Sequence, residues 1–352
     1  MRHKTGPLIR TEEGMWKADN NKAQLTQYQS YFLGYLNSLD KIFNLAKVKC
    51  EFNFIFTLLG IRRLQPVKWK SFETLQDIEE IFEEVNHKFG TWKGTNTHTG
   101  LFRYGLIVES DEMYSFMLNI LRCINDEPPQ VQPFAPKIII DADGKETKIF
   151  ITPSDKIARI KKLAKKVKLD FNFFDDFYDN KLRNAVFHSS YHFDAYDGTL
   201  TIIGDSAIDR DGKIEEVPNP DTVYSHSQML KTFNGAFAFF KALMILINTY
   251  KLSYEGDEII KGSHNFLGYT FKTITKEQEG LIGIVEVDGP INVPFEGRAL
   301  MGTFNPDHVT TIKKDDYRLH LSANEQAQKR IDKFPRKFQK YIARYYKKKL
   351  GY

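Results

Sequence analysis

Cysteine is scarce in this 352-residue chain: only Cys50 and Cys123 occur. Neither stands in a CxxC or Cys/His cluster, so the spacing holds no zinc signature and no disulfide framework. Both lie in apolar, helix-like surroundings, which predicts free thiols in a reducing, cytoplasmic setting. The chain has no Walker A loop, no GxGxxG after a strand, no GxSxG and no HExxH. Nucleotide-dependent, α/β-hydrolase and zincin chemistries are therefore not indicated. Long apolar runs are also missing. The most apolar, Ala236 to Ile247, is interrupted by Lys241, so a membrane span is not expected. The N-terminal MRHKTGPLIRTEEG lacks the apolar region of a signal peptide, and no solenoid-length repeat is present.

Acid is almost missing from the last 24 residues. Lys329, Arg330, Lys333, Arg336, Lys337, Lys340, Arg344, Lys347, Lys348 and Lys349 face Asp332 alone, a net +9. The whole chain carries +5, so the remainder is a mildly acidic body at −4. Phe334, Phe338, Tyr341, Ile342, Tyr345 and Tyr346 recur among the cations at near-helical intervals, with Pro335 suited to a helix start. Three roles fit this tail: a docked amphipathic helix, a nucleic-acid backbone contact through Arg336, Lys340 and Arg344, or a membrane-surface helix. The nucleic-acid role is preferred to the membrane one.

What is abundant is aromatic: 28 Phe and 17 Tyr, in a chain 41% hydrophobic, which supports a packed core. The pattern predicts a mainly α protein with β-hairpin insertions and a C-terminal β-rich appendage. Residues 1–20 read as a loose arm, followed by helices over 21–46, 71–89, 101–125, 155–169 and 222–250. Glu51 to Leu64 is an apolar run that either extends the first helix or starts another. Gly94 to Gly100 reads as a polar turn. Asp143-Gly144 centres a hairpin over 137–152, and Ser154 is the expected cap of the next helix. Strands follow over 196–217 and in FLGYTFKTIT, LIGIVEV and GRALMGTF. The division predicted is a helical domain over 1–250 and a β-rich segment with a basic helix over 251–352. Glu109, Asp111 and Glu112 lack a ligand partner at metal spacing and read as a solvated face.

Chemistry concentrates in Phe171 to Asp194, FNFFDDFYDNKLRNAVFHSSYHFD. Leu182, Ala185 and Val186 sit at helical spacing, so the stretch reads as one amphipathic helix, about 171–194. Asn180, Asn184, His188 and His192 would share its polar face. A histidine moves protons near neutral pH, a guanidinium fork matches phosphate oxygens, and an amide orients either. Together Arg183, Asn184 and His188 suit phosphodiester cleavage in which the 2′-hydroxyl is the nucleophile and no metal is needed. The plainer alternative is that Arg183 pairs with Asp176 or Asp179. His188 and His192 have the spacing of a helical metal pair but lack a third ligand in sequence reach, so no metal or cofactor is assigned. The preceding helix carries Lys161, Lys162, Lys165 and Lys166, either a solvated face or an RNA-backbone surface.

Arg183-Asn184-Ala185-Val186-Phe187-His188 resembles the Arg-x(4–6)-His motif of the HEPN superfamily, in which a polar residue, often Asn, follows the Arg. The flanking LRNAVFHSSY is similar to the family's local context. The resemblance covers about a tenth of the chain. It implies an all-α, generally dimeric fold with two motif helices at the interface. The activity implied is metal-independent RNA endonuclease action in toxin, abortive-infection or phage-defence systems, with a possible antitoxin or defence partner. Some HEPN-like domains serve only as RNA-binding or dimerising modules. One subgroup carries Arg-x4-His-x-Tyr; here Tyr191 stands one residue further on, so that group's tyrosine modification is not expected.

Overall fold

Two long helices form the frame, and both begin with the same device. α1 (Gln27–Lys49) starts where Thr26 Oγ1 accepts from the Gln29 N–H at 3.2 Å and the Gln29 side chain accepts from the Thr26 N–H at 2.9 Å. α7 (His226–Leu252) starts with the same reciprocal pair between Ser225 and Gln228. Such capping boxes satisfy N–H groups that the helix leaves unpaired. This computed structural model describes residues 8–10, 15–18, 25–60, most of 74–85, 93–130, 133–135, 137–140, 146–202, 207–208, 214–215, 222–254, 258–264 and 267–288. It is mainly helical, with two small antiparallel three-stranded sheets, one near the C-terminal end.

α1 and α7 run side by side in the same direction. Tyr35 meets Phe239 edge-on at 5.5 Å, and Phe43 meets Tyr250 at 5.4 Å. The Tyr250 hydroxyl donates to Asp40 Oδ1 at 2.9 Å, which fixes the register with a buried polar bond. α7 is long and apolar enough to cross a membrane by length and composition, and 61% of its most apolar window is buried in the protein. α2 (Glu51–Leu59) is a separate helix, buried from Phe52 to Leu58, and ends at Gly60 in the left-handed region.

The helix expected over 101–125 is two. α3 (Lys93–Glu109) stops at Ser110, whose extended backbone (ψ 99) breaks the ladder, and α4 (Asp111–Ile124) restarts with Asp111 and Glu112 in its first turn. Acids there oppose the positive helix end, a start signal that the apolar periodicity hid. The predicted turn over 94–100 lies inside α3. Gly100 is where α3 meets α7: an added Cβ would sit 2.9 Å from the Phe233 ring. Glycine there serves close packing, not a turn. The described residues between 74 and 85 are helical, as expected.

α5 (Pro153–Lys166) is capped by Thr152, whose Oγ1 accepts from the Asp155 N–H at 3.2 Å, with proline as first helical residue. Ser154, the expected cap, instead meets the Tyr178 hydroxyl at 3.0 Å. The residues after α5 form a 3₁₀ turn (Phe173–Asp176) whose neighbouring Phe171 and Phe177 join Phe174 in a ring cluster against Phe239.

Strands pair locally. β1 (Leu8–Arg10) and β2 (Trp16–Ala18) form a hairpin within the arm expected to be loose, held by Trp16 Nε1 to Asp40 at 3.2 Å. β3 (Lys137–Ile140) pairs β4 (Glu146–Ile149) as the Asp143-Gly144 signal predicts. β5 (Tyr191–Asp194), β6 (Thr199–Ile202) and β9 (Thr222–Tyr224) make the first three-stranded sheet; β7 (Ala207–Ile208) and β8 (Ile214–Glu215) form a small ribbon. β10 (Ile259–Lys261), β11 (Thr270–Lys276) and β12 (Gly280–Asp288) make the second sheet. Its Phe271 packs on Phe52 of α2 at 4.8 Å, so sheet and helices share one core. Gly280 has φ +65, and an added Cβ would lie 2.3 Å from the Lys251 carbonyl, so this turn requires glycine. The strand expected in GRALMGTF and the basic tail lie outside the described residues.

Candidate active site

The predicted motif helix is shorter than expected. α6 (Asn180–His188) begins at Asp179, whose Oδ1 accepts from the N–H groups of Lys181 and Leu182 at 2.9 and 3.0 Å. It ends at Ser189 in the left-handed region (φ 52). The chain then turns into β5, so His192 is a strand residue opposite Thr201 and does not share a helix face with His188. The i, i+4 histidine pair is therefore not formed. Sequence periodicity alone could not mark either end, because the aromatic-acidic run and the strand both carry apolar residues at compatible spacing.

Two tyrosines lock the start of α6. The Tyr104 hydroxyl of α3 accepts from the Asp179 N–H at 3.0 Å and donates to the Asp179 carbonyl at 3.2 Å. The Tyr224 hydroxyl of β9 donates to Asp179 Oδ2 at 2.7 Å. Burial pushes the Tyr104 phenol above its ordinary range, and burial with the Asp179 hydrogen bond does the same for Tyr224. Along the helix, Gly105 of α3 lets α6 approach: an added Cβ would lie 3.0 Å from Val186 and 3.3 Å from the Phe187 ring.

Arg183 is half-buried and forms an ion pair with Glu109, the last residue of α3, through Nε and Nη2. Its expected partners, Asp176 and Asp179, are engaged elsewhere, by Tyr35 and by the helix cap with Tyr224. Nη1 donates to Asn184 Oδ1 at 2.7 Å. The Phe187 ring lies 5.6 Å from the guanidinium carbon. Three of the five N–H groups are used, and the other two have no partner among the described residues. His188 is exposed at the end of α6, one turn beyond Asn184 on the same face. Arg183 and His188, five residues apart, point about 140° apart round the axis.

Glu109 is the residue that sequence reading assigned to a solvated face and that the structure places on Arg183. Asp111 of the same group pairs with Lys156, and Glu112 is buried. No local signal could have found the Glu109 ion pair, which spans 74 positions. His98 of α3 is a second residue missed: its Nδ1 lies 3.3 Å from the Tyr191 hydroxyl, and its ring also meets Phe193.

On α5, Lys161 pairs with Asp175, and Lys166 with Glu127 at 3.2 Å. Lys162 and Lys165 are exposed. Lys161, Lys165, Lys168 and Asn172 border an open groove of about 410 Å³ beside the segment leading to α6. Arg336, Lys340 and Arg344 lie outside the described residues. No known protein family, curated protein or solved structure matches the chain.

Proposed function

We propose that this protein is a metal-independent RNA endonuclease of HEPN type, acting in bacterial phage defence or as a toxin. The observation that carries the reading is that one short, rigidly capped helix presents the Arg183–Asn184 pair and an exposed His188. His188 moves the proton between the 2′-hydroxyl and the leaving 5′-oxygen, or positions the 2′-hydroxyl, while the 2′-oxygen attacks phosphorus. Arg183 stabilises the charge that develops on the phosphorane through its two remaining N–H groups. Asn184 and Glu109 hold the guanidinium plane. Because Arg183 and His188 diverge round the helix, one copy aims them apart; a homodimer that apposes two α6 helices would bring Arg183 of one copy towards His188 of the other. The basic groove beside α5 suits the RNA backbone.

Purified protein is expected to cut single-stranded RNA without added divalent cation, leaving 2′,3′-cyclic phosphate ends. His188→Ala should abolish cutting in a folded protein. A requirement for added Mg²⁺ or Mn²⁺, or equal cutting of DNA, would overturn the 2′-hydroxyl mechanism. A second reading, a non-catalytic RNA-binding or dimerising module, draws on the Glu109 carboxylate, which neutralises Arg183 and makes it resemble a strut between α3 and α6.

A further inference from the structure

Three segments far apart in the chain bring Cys50, Asp126 and His264 together. Cys50 is the single residue between α1 and α2, Asp126 lies in the turn that ends α4, and His264 follows β10. One donor atom from each lies within 4.8 Å of the other two, and His264 Nε2 is 3.6 Å from Asp126 Oδ1. Asp126 and His264 both take left-handed backbone, with φ 56 and 53.

An ordinary ion pair joins the histidine and the aspartate, and the thiol, hydrogen-bonded to Ser263, stands within ligand reach of both. A nucleophilic cysteine relay places its histidine between the other two, using opposite ring nitrogens. Here a single histidine atom lies near both partners, which is the arrangement of donors converging on a common centre. We propose that Cys50, Asp126 and His264 bind one divalent cation of the zinc class. A sulfur, nitrogen and oxygen set suits a borderline-soft ion, whereas calcium and magnesium want more oxygens and no thiolate. Bonds of about 2.0–2.3 Å at tetrahedral angles put ligand atoms roughly 3.3–3.8 Å apart, a closure within reach of side-chain rotation. The thiol proton leaves to solvent on binding. No fourth His, Cys or acidic ligand joins them among the described residues, so water fills that position.

The surroundings are built for this. Ser263 Oγ lies 3.3 Å from Cys50 Sγ and donates to Asn53 Oδ1 at 3.2 Å. Asn53 Nδ2 donates to the Glu127 carbonyl at 3.3 Å. Asn53 is 2% exposed. It therefore braces the neighbours of two ligands, Ser263 beside His264 and Glu127 beside Asp126, an outer shell that orients both segments. The cation would clip the C-terminal sheet to the helical body. It lies at the opposite end of α4 from Glu109, roughly 20 Å away by helix rise, so its loading is read independently of RNA cleavage.

The test is cobalt titration of the reduced, chelator-treated full chain. One equivalent of Co²⁺ should produce a thiolate-to-cobalt charge-transfer band and strong visible bands of a four-coordinate ion, both bleached by Zn²⁺. Cys50→Ser should remove the charge-transfer band, and Cys123→Ser should keep it. Asp126→Asn and His264→Gln should each weaken binding at least tenfold; Asp126 is exposed, so its variant probes the site with little effect on folding. Zn²⁺ should raise the melting temperature of the wild type and not of Cys50→Ser. The absence of a band at saturating Co²⁺, or its survival in Cys50→Ser, would overturn the proposal. So would rapid alkylation of Cys50 by iodoacetamide unaffected by Zn²⁺, which would instead mark a nucleophilic thiol.

Discussion

Arg183 can be a catalytic cation or a strut, and the Glu109–Arg183 pair separates the two. The side chains are 24% and 31% exposed, so the pair is neither a surface bridge nor a buried one. Exposed pairs contribute roughly 0.2–1 kcal/mol, and breaking a buried pair costs about 3–5 kcal/mol. An intermediate cost of about 1–2 kcal/mol is expected for Arg183→Ala, a melting-temperature drop of about 1–3 °C in a chain this long. That destabilisation leaves nearly all molecules folded. Removing a group that stabilises transition-state charge costs about 10²–10³ in rate, far beyond what the lower stability can produce. The assay is urea denaturation beside single-turnover RNA cleavage for Arg183→Ala, Glu109→Gln and the double variant. Glu109→Gln keeps the volume, should cost a similar stability, and should leave cleavage within about tenfold, because the guanidinium and its Asn184 bond remain. If Arg183→Ala cuts RNA within threefold of the wild type while showing the expected destabilisation, Arg183 is a strut and the catalytic assignment is wrong.

Asp179→Ala should destabilise by about 1–2 kcal/mol through removal of the α6 cap and lower cleavage by disordering the motif; Asp179→Asn should restore most of both, as denaturation and rate measurements will show. Alkaline stability should fall as pH rises above 10, the ordinary tyrosine value, because Tyr35, Tyr104, Tyr224 and Tyr254 all have folded values raised mainly by burial. The folded state then holds protons that the unfolded state releases, so the stabilisation is complete below pH 10 and declines above it; a urea midpoint that does not fall between about pH 10 and 11.5 would contradict this. Deleting residues 329–352 should weaken RNA affinity and flatten its log–log salt dependence by about 0.7 for each phosphate the tail had neutralised; an unchanged slope would leave the tail without a backbone role. Sedimentation should give a dimer as the cleaving species, and an active monomer at working concentration would remove the composite site.

Where burial follows from local periodicity, the sequence alone was sufficient. The apolar stripe from Tyr28 to Phe43 is the buried face of α1, and the strand pair expected over 137–152 is β3 with β4. The Arg183-Asn184-x3-His188 spacing is helical as read, and the nine-residue helix is held by its Asp179 cap together with Tyr104 and Tyr224. Tertiary structure decided whatever depends on the chain's return. The helical state of 94–100 beside Phe233 and the turn at Ser189 are not recorded by the local periodicity. The grip of Glu109 on Arg183 joins positions 74 apart, and Cys50, Asp126 and His264 meet from three separate connections. Periodicity states which face of an element is buried. It does not state what lies against that face, and the partner decides whether a charged side chain is a solvated one, a strut or a ligand.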